Sequence, residues 1–417
     1  MNADALRRTD PEMTALLAEE RKRQADTLAL IPSENYASRA VEEATGCCLA
    51  NKYSEGYPGR RYYQGQAVID KCETLGIQRA KALFAADHAN LQPYSGSVGV
   101  LATYFAAGCR PGDTIMGLSL AHGGHLSHGH SVNITGRIFN SVQYGVARET
   151  ERLDYDEIEK LALECKPKVL MAGGSAYPRV FDFPRFRAIA DKVGAIFIVD
   201  ISHIAGLVVG GSHPSPVPHA DIVVTTTHKT LRGPRGALIV CKDAFAKAVD
   251  RAVFPLLQGG PHQHTQAAIA VALKEAASPK FKEYAHQIVK NAQAMARVLA
   301  DDGMRIVSGG TDNHLLLVDL QKKNINGKDA AVLLESVGLV CNANMIPYDP
   351  GTAAKPSGIR LGTPAITTRG MKEPDCERVG HLIARAINQR DHPAALAAIH
   401  EEVRELCRKF PIPEVMV

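Results

Sequence analysis

Between Ile77 and about Lys242 the chain repeats one pattern, a short apolar run followed by an amphipathic stretch, and no other feature restricts its fold as much. TIMGLSL at 114–120, KVLMAG at 168–173, AIFIVD at 195–200, DIVVTTT at 221–227 and ALIVC at 237–241 have the length of strands. YDEIEKLALEC and FPRFRAIADKVG, which lie between them, have helical spacing. Strands alternating with helices predict an α/β architecture with a large doubly wound, mostly parallel sheet and right-handed crossovers.

The flanks differ from this centre. Thr9-Asp10-Pro11 puts a capping residue before a proline and predicts an N-terminal helical arm from Pro11 to about Leu30. Asn35 to Asp70 is rich in Gly, Tyr and Arg without clear periodicity, and a long irregular segment of this kind is expected to carry function. Gln263 to Leu299 reads as a long helical spine with a weak break at Ser278-Pro279. Beyond it, MRIVSGG, HLLLVDL, a helix near Lys328 to Val337 and helices from Arg369 onward predict a smaller C-terminal α+β domain. The expected divisions are 1–60 for the arm and substrate segment, 61–279 for the large domain and 280–417 for the small one.

Lys+Arg 48 against Asp+Glu 44 leaves a net charge of only +4, which argues against nucleic acid or an anionic membrane as partner. The nine cysteines contain no C-x-x-C pair and fit free thiols in a reducing cytoplasm. The first thirty residues are charged throughout and offer no apolar core of a secretion signal, and no run reaches the length of a membrane span.

The chemistry concentrates in VVTTTHKTLRGPRGALIV, where a strand runs into hydroxylated residues and then His228-Lys229-Thr230. Twenty-nine residues earlier AIFIVD ends in Asp200, followed by Ser202-His203. Ligands of open α/β sheets bind beyond the carboxyl ends of strands, so the two strand ends would offer an amine and a carboxylate to one crevice. Pyridoxal phosphate requires such a pair: a lysine to hold its aldehyde as a Schiff base and a carboxylate to keep its ring nitrogen protonated. Tyr94-Ser95-Gly96-Ser97, between a strand and a helix, supplies hydroxyls and N–H groups for a phosphate. His122, His125 and His128 follow in a glycine-rich loop. Their spacing is not that of a zinc site, and no thiolate or carboxylate accompanies them. One imidazole stacked over a planar ring is the better functional reading, and His122 and His128 read equally well as ordinary loop histidines.

The ordered segments LIPSENYAS, NKYSEGYPGRRYY, AHGGHLSHG, VDISHIAGL, TTTHKTLRGPRG, VSGGTDNHLLLVDL and SGIRLGTPAITTRG carry a resemblance that runs from about residue 29 to residue 409. With them the chain resembles the serine hydroxymethyltransferase family, also called glycine hydroxymethyltransferases, of the fold-type I pyridoxal-phosphate enzymes. The resemblance implies interconversion of serine and glycine with transfer of the one-carbon unit to tetrahydrofolate, in a cytoplasmic homodimer whose subunits share their active sites. Lys229 would bind the cofactor, Asp200 would pair with its ring nitrogen, His203 would lie near its ring hydroxyl and His125 would stack on it. Ser95, Gly96 and Ser97 would hold the phosphate, joined by Ser175, by Tyr53, and by Gly259 and Gly260 of the neighbouring subunit. Glu55, Tyr63, His228 and Thr226 would accompany Lys229 in catalysis. Arg360 and Ser33 would take the substrate carboxylate, with Glu55 and Tyr63 at its side chain. Tyr62, Leu120, Gly124, Leu126, Asn344 and Phe254 would meet the folate, as would Glu55.

The chain departs from the family pattern at Gln64, at Val98-Gly99-Val100, at Leu256-Leu257, at Tyr348 and at Val224. These departures are expected to surround the amino-acid and folate pocket, and they leave open a sister activity: an α-methylserine hydroxymethyltransferase or a folate-independent aldolase. The intact set of Lys229, Asp200 and Arg360 argues against a binding protein that has lost catalysis.

Overall fold

The computed structural model describes residues 4–413. Its contacts divide the chain into two units, Ala44–His286 and a second that joins the residues up to Glu43 with Gln287 onward. The helix Pro279–Asp301 runs through the later division point.

Seven strands form the sheet of the larger unit: β1 (His88–Asn90), β2 (Thr114–Leu118), β3 (Asn140–Tyr144), β4 (Val169–Gly173), β5 (Ile196–Asp200), β6 (Ile222–Thr226) and β7 (Ala237–Cys241). Their order is β1-β7-β6-β5-β4-β2-β3. All the pairings from β6 through β3 are parallel, and β7 runs antiparallel to both β6 and β1. Every residue of β4, β6 and β7 is buried, because the sheet is covered on both faces. That double cover is why these strands read as unbroken apolar runs rather than as alternating ones. The strand order reverses between β2 and β4, and in such sheets the crevice at the carboxyl ends near the reversal is where ligands sit.

Helix α1 (Ala67–Phe84) follows the Gly/Tyr/Arg segment, and helix α2 (Gly96–Ala106) follows β1. Ser95 caps α2, its hydroxyl accepting from Val98 N at 3.5 Å. The segment 35–70 is less irregular than its composition implies. It contains a helix, Arg39–Thr45, and a short hairpin pairing Gly56–Tyr57 with Arg60–Arg61.

In the smaller unit β8 (Arg305–Ile306), β9 (Leu315–Asp319), β10 (Asn342–Asn344) and β11 (Gly358–Gly362) form an antiparallel sheet in the order β8-β9-β11-β10. Leu316, Val318, Ile359 and Leu361 from its strands share one core with Val379, Ile383 and Val403 of the C-terminal helices. Leu28 and Leu30 belong to the same core, and Leu28–Ala29 pairs in parallel with Leu339–Val340. MRIVSGG supplies only a two-residue strand because Ser308, Gly309 and Gly310 all turn at positive φ. The N-terminal arm holds two helices, Asp4–Thr9 and Pro11–Asp26; the second is capped as the sequence implies, Met13 N donating to Asp10 Oδ1 at 2.8 Å, and stops short of Leu30 because Leu28–Ala29 forms a strand. The break at Ser278-Pro279 separates two helices, Gln263–Ala276 and Pro279–Asp301. Among the described residues no helix is long and apolar enough to cross a membrane, and no cluster of His, Cys, Asp or Glu could hold a metal.

Candidate active site

The carboxyl ends of β5 and β6 lie side by side, with Asp200 opposite Val224 in parallel register. Thr226, the last residue of β6, receives a hydrogen bond at Oγ1 from Lys229 Nζ at 3.0 Å. Its backbone N–H donates to Ser202 Oγ at 3.0 Å, and Ser202 N donates in turn to Asp200 Oδ1 at 2.9 Å. The amine and the carboxylate are thus linked through two hydroxylated residues at adjacent strand ends. The loop beyond Lys229 folds back on Thr227, whose backbone accepts from Gly233 N at 2.7 Å and whose hydroxyl donates to Pro234 O at 2.6 Å. His203 is held to the lysine loop through Thr230, whose Oγ1 donates to His203 O and accepts from Gly206 N, both at 2.9 Å.

The start of α2 meets this cluster. A Cβ added to Gly96 would come 2.6 Å from Thr226 Cγ2 and 3.9 Å from Ser202 Oγ. Glycine is therefore required where the helix N-terminus approaches the strand end. Ser95, Gly96 and Ser97 sit at the first turn of an eleven-residue helix, an electrostatic setting that favours an anion.

Asp200 is buried, which on its own raises a carboxyl pKa. The hydrogen bond from His128, with the Ser202 N–H, outweighs burial and holds the group well below the usual carboxylate range. His128 Nε2 lies 3.1 Å from Asp200 Oδ2. The turn Leu126–His128 sets this geometry. Ser127 N donates to His125 Nδ1 at 3.2 Å, and His125 N donates to His128 Nδ1 at 3.4 Å. An accepting Nδ1 leaves the ring hydrogen on Nε2, directed at the carboxylate. His125 Nδ1 also contacts Ser127 Oγ at 2.7 Å, and its ring centroid is 5.7 Å from that of His128. Ser175, just past β4, joins the same loop through its N–H to Gly123 O at 2.7 Å. His228, beside Lys229, is pushed down to about 3, first by burial and then by the charges of Lys229 and Arg235. Its Nδ1 is buried with no hydrogen-bond partner among the described residues.

A second group gathers elsewhere in the larger unit. Tyr53 OH donates to Glu55 Oε1 at 3.2 Å, and the Tyr53 and Tyr63 rings meet edge to face at 5.2 Å. Tyr62 meets Phe254 at 5.6 Å. Added Cβ atoms would place Gly259 3.3 Å from Glu55 Oε1 and Gly260 2.9 Å from the Tyr53 ring. Tyr53, Tyr62 and Tyr63 are 56%, 70% and 45% exposed. Tyr94 ties this group to the start of α2: its OH donates to Gly260 O at 2.6 Å, and Gln258 bridges Tyr94 N and Gln92 O. Beneath the group, Arg61 donates to Asp70, to Glu73 and to the carbonyls of Ser54 and Gly56, at distances of 2.5 to 2.9 Å. Leu120, Gly124 and Leu126 occupy the loop after β2.

The remaining residues lie in the smaller unit. Arg360 is at the centre of β11, and burial draws its guanidinium down to about 10. The segment with Ser33 passes the end of the same strand, where Gly362 N donates to Leu30 O at 2.8 Å and a Cβ on Gly362 would meet Pro32. Asn344 ends β10 and donates to Met345 O at 2.6 Å.

Two of the departures from the family pattern prove to be one feature. A Cβ on Gly99 would lie 3.0 Å from Val224 Cγ2, and Val224 is fully buried between β6 and α2. Valine keeps the branched shape of the usual threonine and replaces its hydroxyl with a methyl, and that methyl packs on Gly99, so the pair lies in the packing between β6 and α2. His128 is the residue that sequence reasoning passed over. Its signal was the three-residue spacing from His125, which a single turn converts into a shared face.

A seven-stranded mostly parallel sheet, an aspartate closing one central strand and a lysine just past its neighbour define a fold-type I pyridoxal-phosphate-dependent transferase. A family model described as serine hydroxymethyltransferase matches residues 6–383. Relatives named serine hydroxymethyltransferase include one from Desulfotalea psychrophila, 56% identical over 409 residues that cover 98% of this chain and 96% of the relative. One from Koribacter versatilis is 53% identical over 410 residues, with 98% and 96% covered. One from Acidobacterium capsulatum is 54% identical over 408 residues, with 98% and 95% covered. The chain belongs to the serine hydroxymethyltransferase family.

Proposed function

We propose that this protein interconverts serine and glycine and passes the hydroxymethyl carbon to tetrahydrofolate, with pyridoxal phosphate as cofactor. The observation that carries the reading is the linked set Lys229–Thr226–Ser202–Asp200, with the start of α2 against Thr226. The donor set fits this cofactor. It combines an amine for the aldehyde, a carboxylate kept ionised for the ring nitrogen, and a helix N-terminus with two serines that favours a phosphate. When bound, pyridoxal phosphate supplies an aldehyde that joins the amino group of the substrate and a protonated ring that draws electrons from a bond at its α-carbon.

The chain's own groups orient and exchange protons. Lys229 provides the amine, and Thr226 Oγ1 fixes it by accepting from Nζ. Asp200 stays ionised through His128 and would take the ring nitrogen, with His125, His203 and Ser175 as the further residues that would hold the ring. Ser95, Gly96 and Ser97 would hold the phosphate at the start of α2. Neutral His228 lies beside the amine. Arg360 and Ser33 bind the substrate carboxylate, a task suited to a planar guanidinium. Fixing the carboxylate selects the α-carbon bond aligned for cleavage. Glu55 exchanges a proton with the hydroxymethyl oxygen and Tyr63 orients that hydroxyl. Tyr62, Leu120, Gly124, Leu126, Asn344 and Phe254 receive the folate.

The protein acts as a homodimer in the cytoplasm. The exposed Tyr53, Tyr62 and Tyr63, with the half-buried Glu55 and with Gly259 and Gly260, complete the site of a second copy. Exposed Val68 and Leu256 add to the apolar surface of this unit, which supports such a pairing. Comparing turnover of L-serine and α-methyl-L-serine, each with and without tetrahydrofolate, tests the reading. Rapid folate-dependent conversion of L-serine is expected. Preference for the α-methyl substrate, or cleavage of either at full rate without folate, would replace it with the sister activity.

A further inference from the structure

We propose that Asn342 positions Arg360 for a carboxylate, acting as a neutral anchor that fixes the guanidinium without offsetting its charge. The inference rests on the reading that Arg360 takes the carboxylate of the amino-acid substrate.

Arg360 sits on β11 between two partners in direct register, Leu317 of β9 and Asn342 of β10. Directly opposed residues of an antiparallel pair project from the same face with their Cβ atoms about 5 Å apart. Leu317 is buried and offers no polar atom, so Asn342 is the cross-strand neighbour able to bond a guanidinium. It does so: Arg360 Nε donates to Asn342 Oδ1 at 3.1 Å. The other end of the amide is also committed, Asn342 Nδ2 donating to Ala343 O at 2.8 Å. Reversing the amide would set Nδ2 against a donor and Oδ1 against a carbonyl, so the two bonds together determine its orientation.

This anchoring has two consequences for recognition. With Nε engaged, a two-bond grip on a carboxylate must use the terminal Nη1 and Nη2 pair, which sets the direction from which the substrate enters. And because the acceptor at Nε is an amide, that contact holds the side chain still while leaving its positive charge for the ligand. An aspartate at 342 could accept the same bond in the same shape, but it would place a negative charge where it competes with the substrate's own. Asparagine rather than aspartate at this register position is therefore a functional choice.

The test uses full-length holoenzyme with equilibrium binding of glycine by calorimetry, KM and kcat for L-serine, and thermal melting as a folding control. N342D is expected to raise the glycine Kd and serine KM about tenfold or more, with a smaller effect on kcat and an unchanged melting temperature. N342A removes the anchor without adding charge and should weaken glycine several-fold, to a lesser degree than N342D. Either variant binding glycine like the wild type overturns the assignment of Asn342. R360A separates this outcome from failure of the underlying reading. If R360A loses glycine binding while both Asn342 variants keep it, Arg360 remains the carboxylate site and Asn342 has no part in it. If R360A binds glycine normally, both ideas fall together.

Discussion

His128 Nε2 stands 3.1 Å from Asp200 Oδ2, and both side chains are buried. The contact explains why a carboxylate closed off from solvent stays ionised: burial alone would protonate it, and the histidine with the Ser202 N–H reverses that tendency. His128 is thus a positioning residue acting through Asp200. Its N–H is fixed toward the carboxylate by a backbone bond on the far side of the ring.

His128→Ala should raise the Asp200 pKa and weaken cofactor binding at neutral pH. A hydrogen bond to a charged group contributes about 1.5–3 kcal/mol, so the Kd for pyridoxal phosphate should rise by about ten- to a hundredfold. Titrating the apoprotein by absorbance measures it, and a cycle with Asp200→Asn tests the route. If His128→Ala costs as much in the Asp200→Asn background as in the wild type, the two side chains do not act together.

Gly96→Ala should damage the anion site rather than the whole fold. The added methyl would come 2.6 Å from Thr226 Cγ2, an overpacking that typically costs about 1–3 kcal/mol. Because the crowding falls at the first turn of α2, affinity for pyridoxal phosphate should drop more than affinity for pyridoxal, which lacks the phosphate. Equal losses for the two compounds would remove the helix start from the phosphate site.

Arg61 and Glu73 form an ion pair whose side chains are 3% and 1% exposed, with Nη2 and Oε2 at 2.5 Å. Gln92 donates to the other carboxylate oxygen at 2.7 Å, and Arg61 also holds the carbonyls of Ser54 and Gly56. The pair therefore anchors the strip that carries Tyr53 and Glu55. Glu73→Ala should destabilise the protein by about 1–3 kcal/mol, because Arg61 and Gln92 lose a buried acceptor while Arg61 keeps Asp70 as its counter-charge. Arg61→Met with Glu73→Leu should be less damaging than the sum of the single changes, as urea unfolding would show. Strictly additive losses would mean that the two residues contribute independently.

The parts of this molecule that were legible in its sequence are those whose signal is local. The inner strands of the large sheet are apolar at nearly every position because both faces are covered, and Asp200 and Lys229 stand out because each follows such a run. β3 escaped notice because it is an edge strand with only Tyr144 fully buried, and β10 because Asn-Ala-Asn carries no strand pattern. The helix Arg39–Thr45 was hidden in a segment whose glycines and tyrosines suggest a loop. In the site, His128 could not be assigned because its partner is 72 positions away. Asn342 was missed for the same reason, since only strand register sets it beside Arg360. The departures at Gly99 and Val224 read as changes to a pocket because only the fold sets the Val224 side chain against the backbone of Gly99.

The last prediction concerns acid stability and His228. Burial, followed by the charges of Lys229 and Arg235, lowers its folded pKa from 6.5 to about 3. Above about pH 6.5 the ring is neutral in both folded and unfolded chains and adds no pH dependence. As pH falls from 6.5 towards 3, the unfolded chain takes up a proton that the folded ring refuses, so stability drops by up to about 1.4 kcal/mol per pH unit. Asp200 contributes differently: its depressed pKa stabilises the fold above the ordinary carboxylate value near 3.8, and that stability is lost only on acidification below it. The interval from pH 6.5 to about 4.5 therefore isolates the histidine from that carboxylate. His228→Asn should flatten the stability profile there, making the difference between variant and wild type shift by about 2–3 kcal/mol across the interval. Urea unfolding of the holoenzyme at closely spaced pH values measures both curves. Parallel curves would show that His228 titrates alike in the folded and unfolded chains, and that its burial beside Lys229 does not keep it neutral.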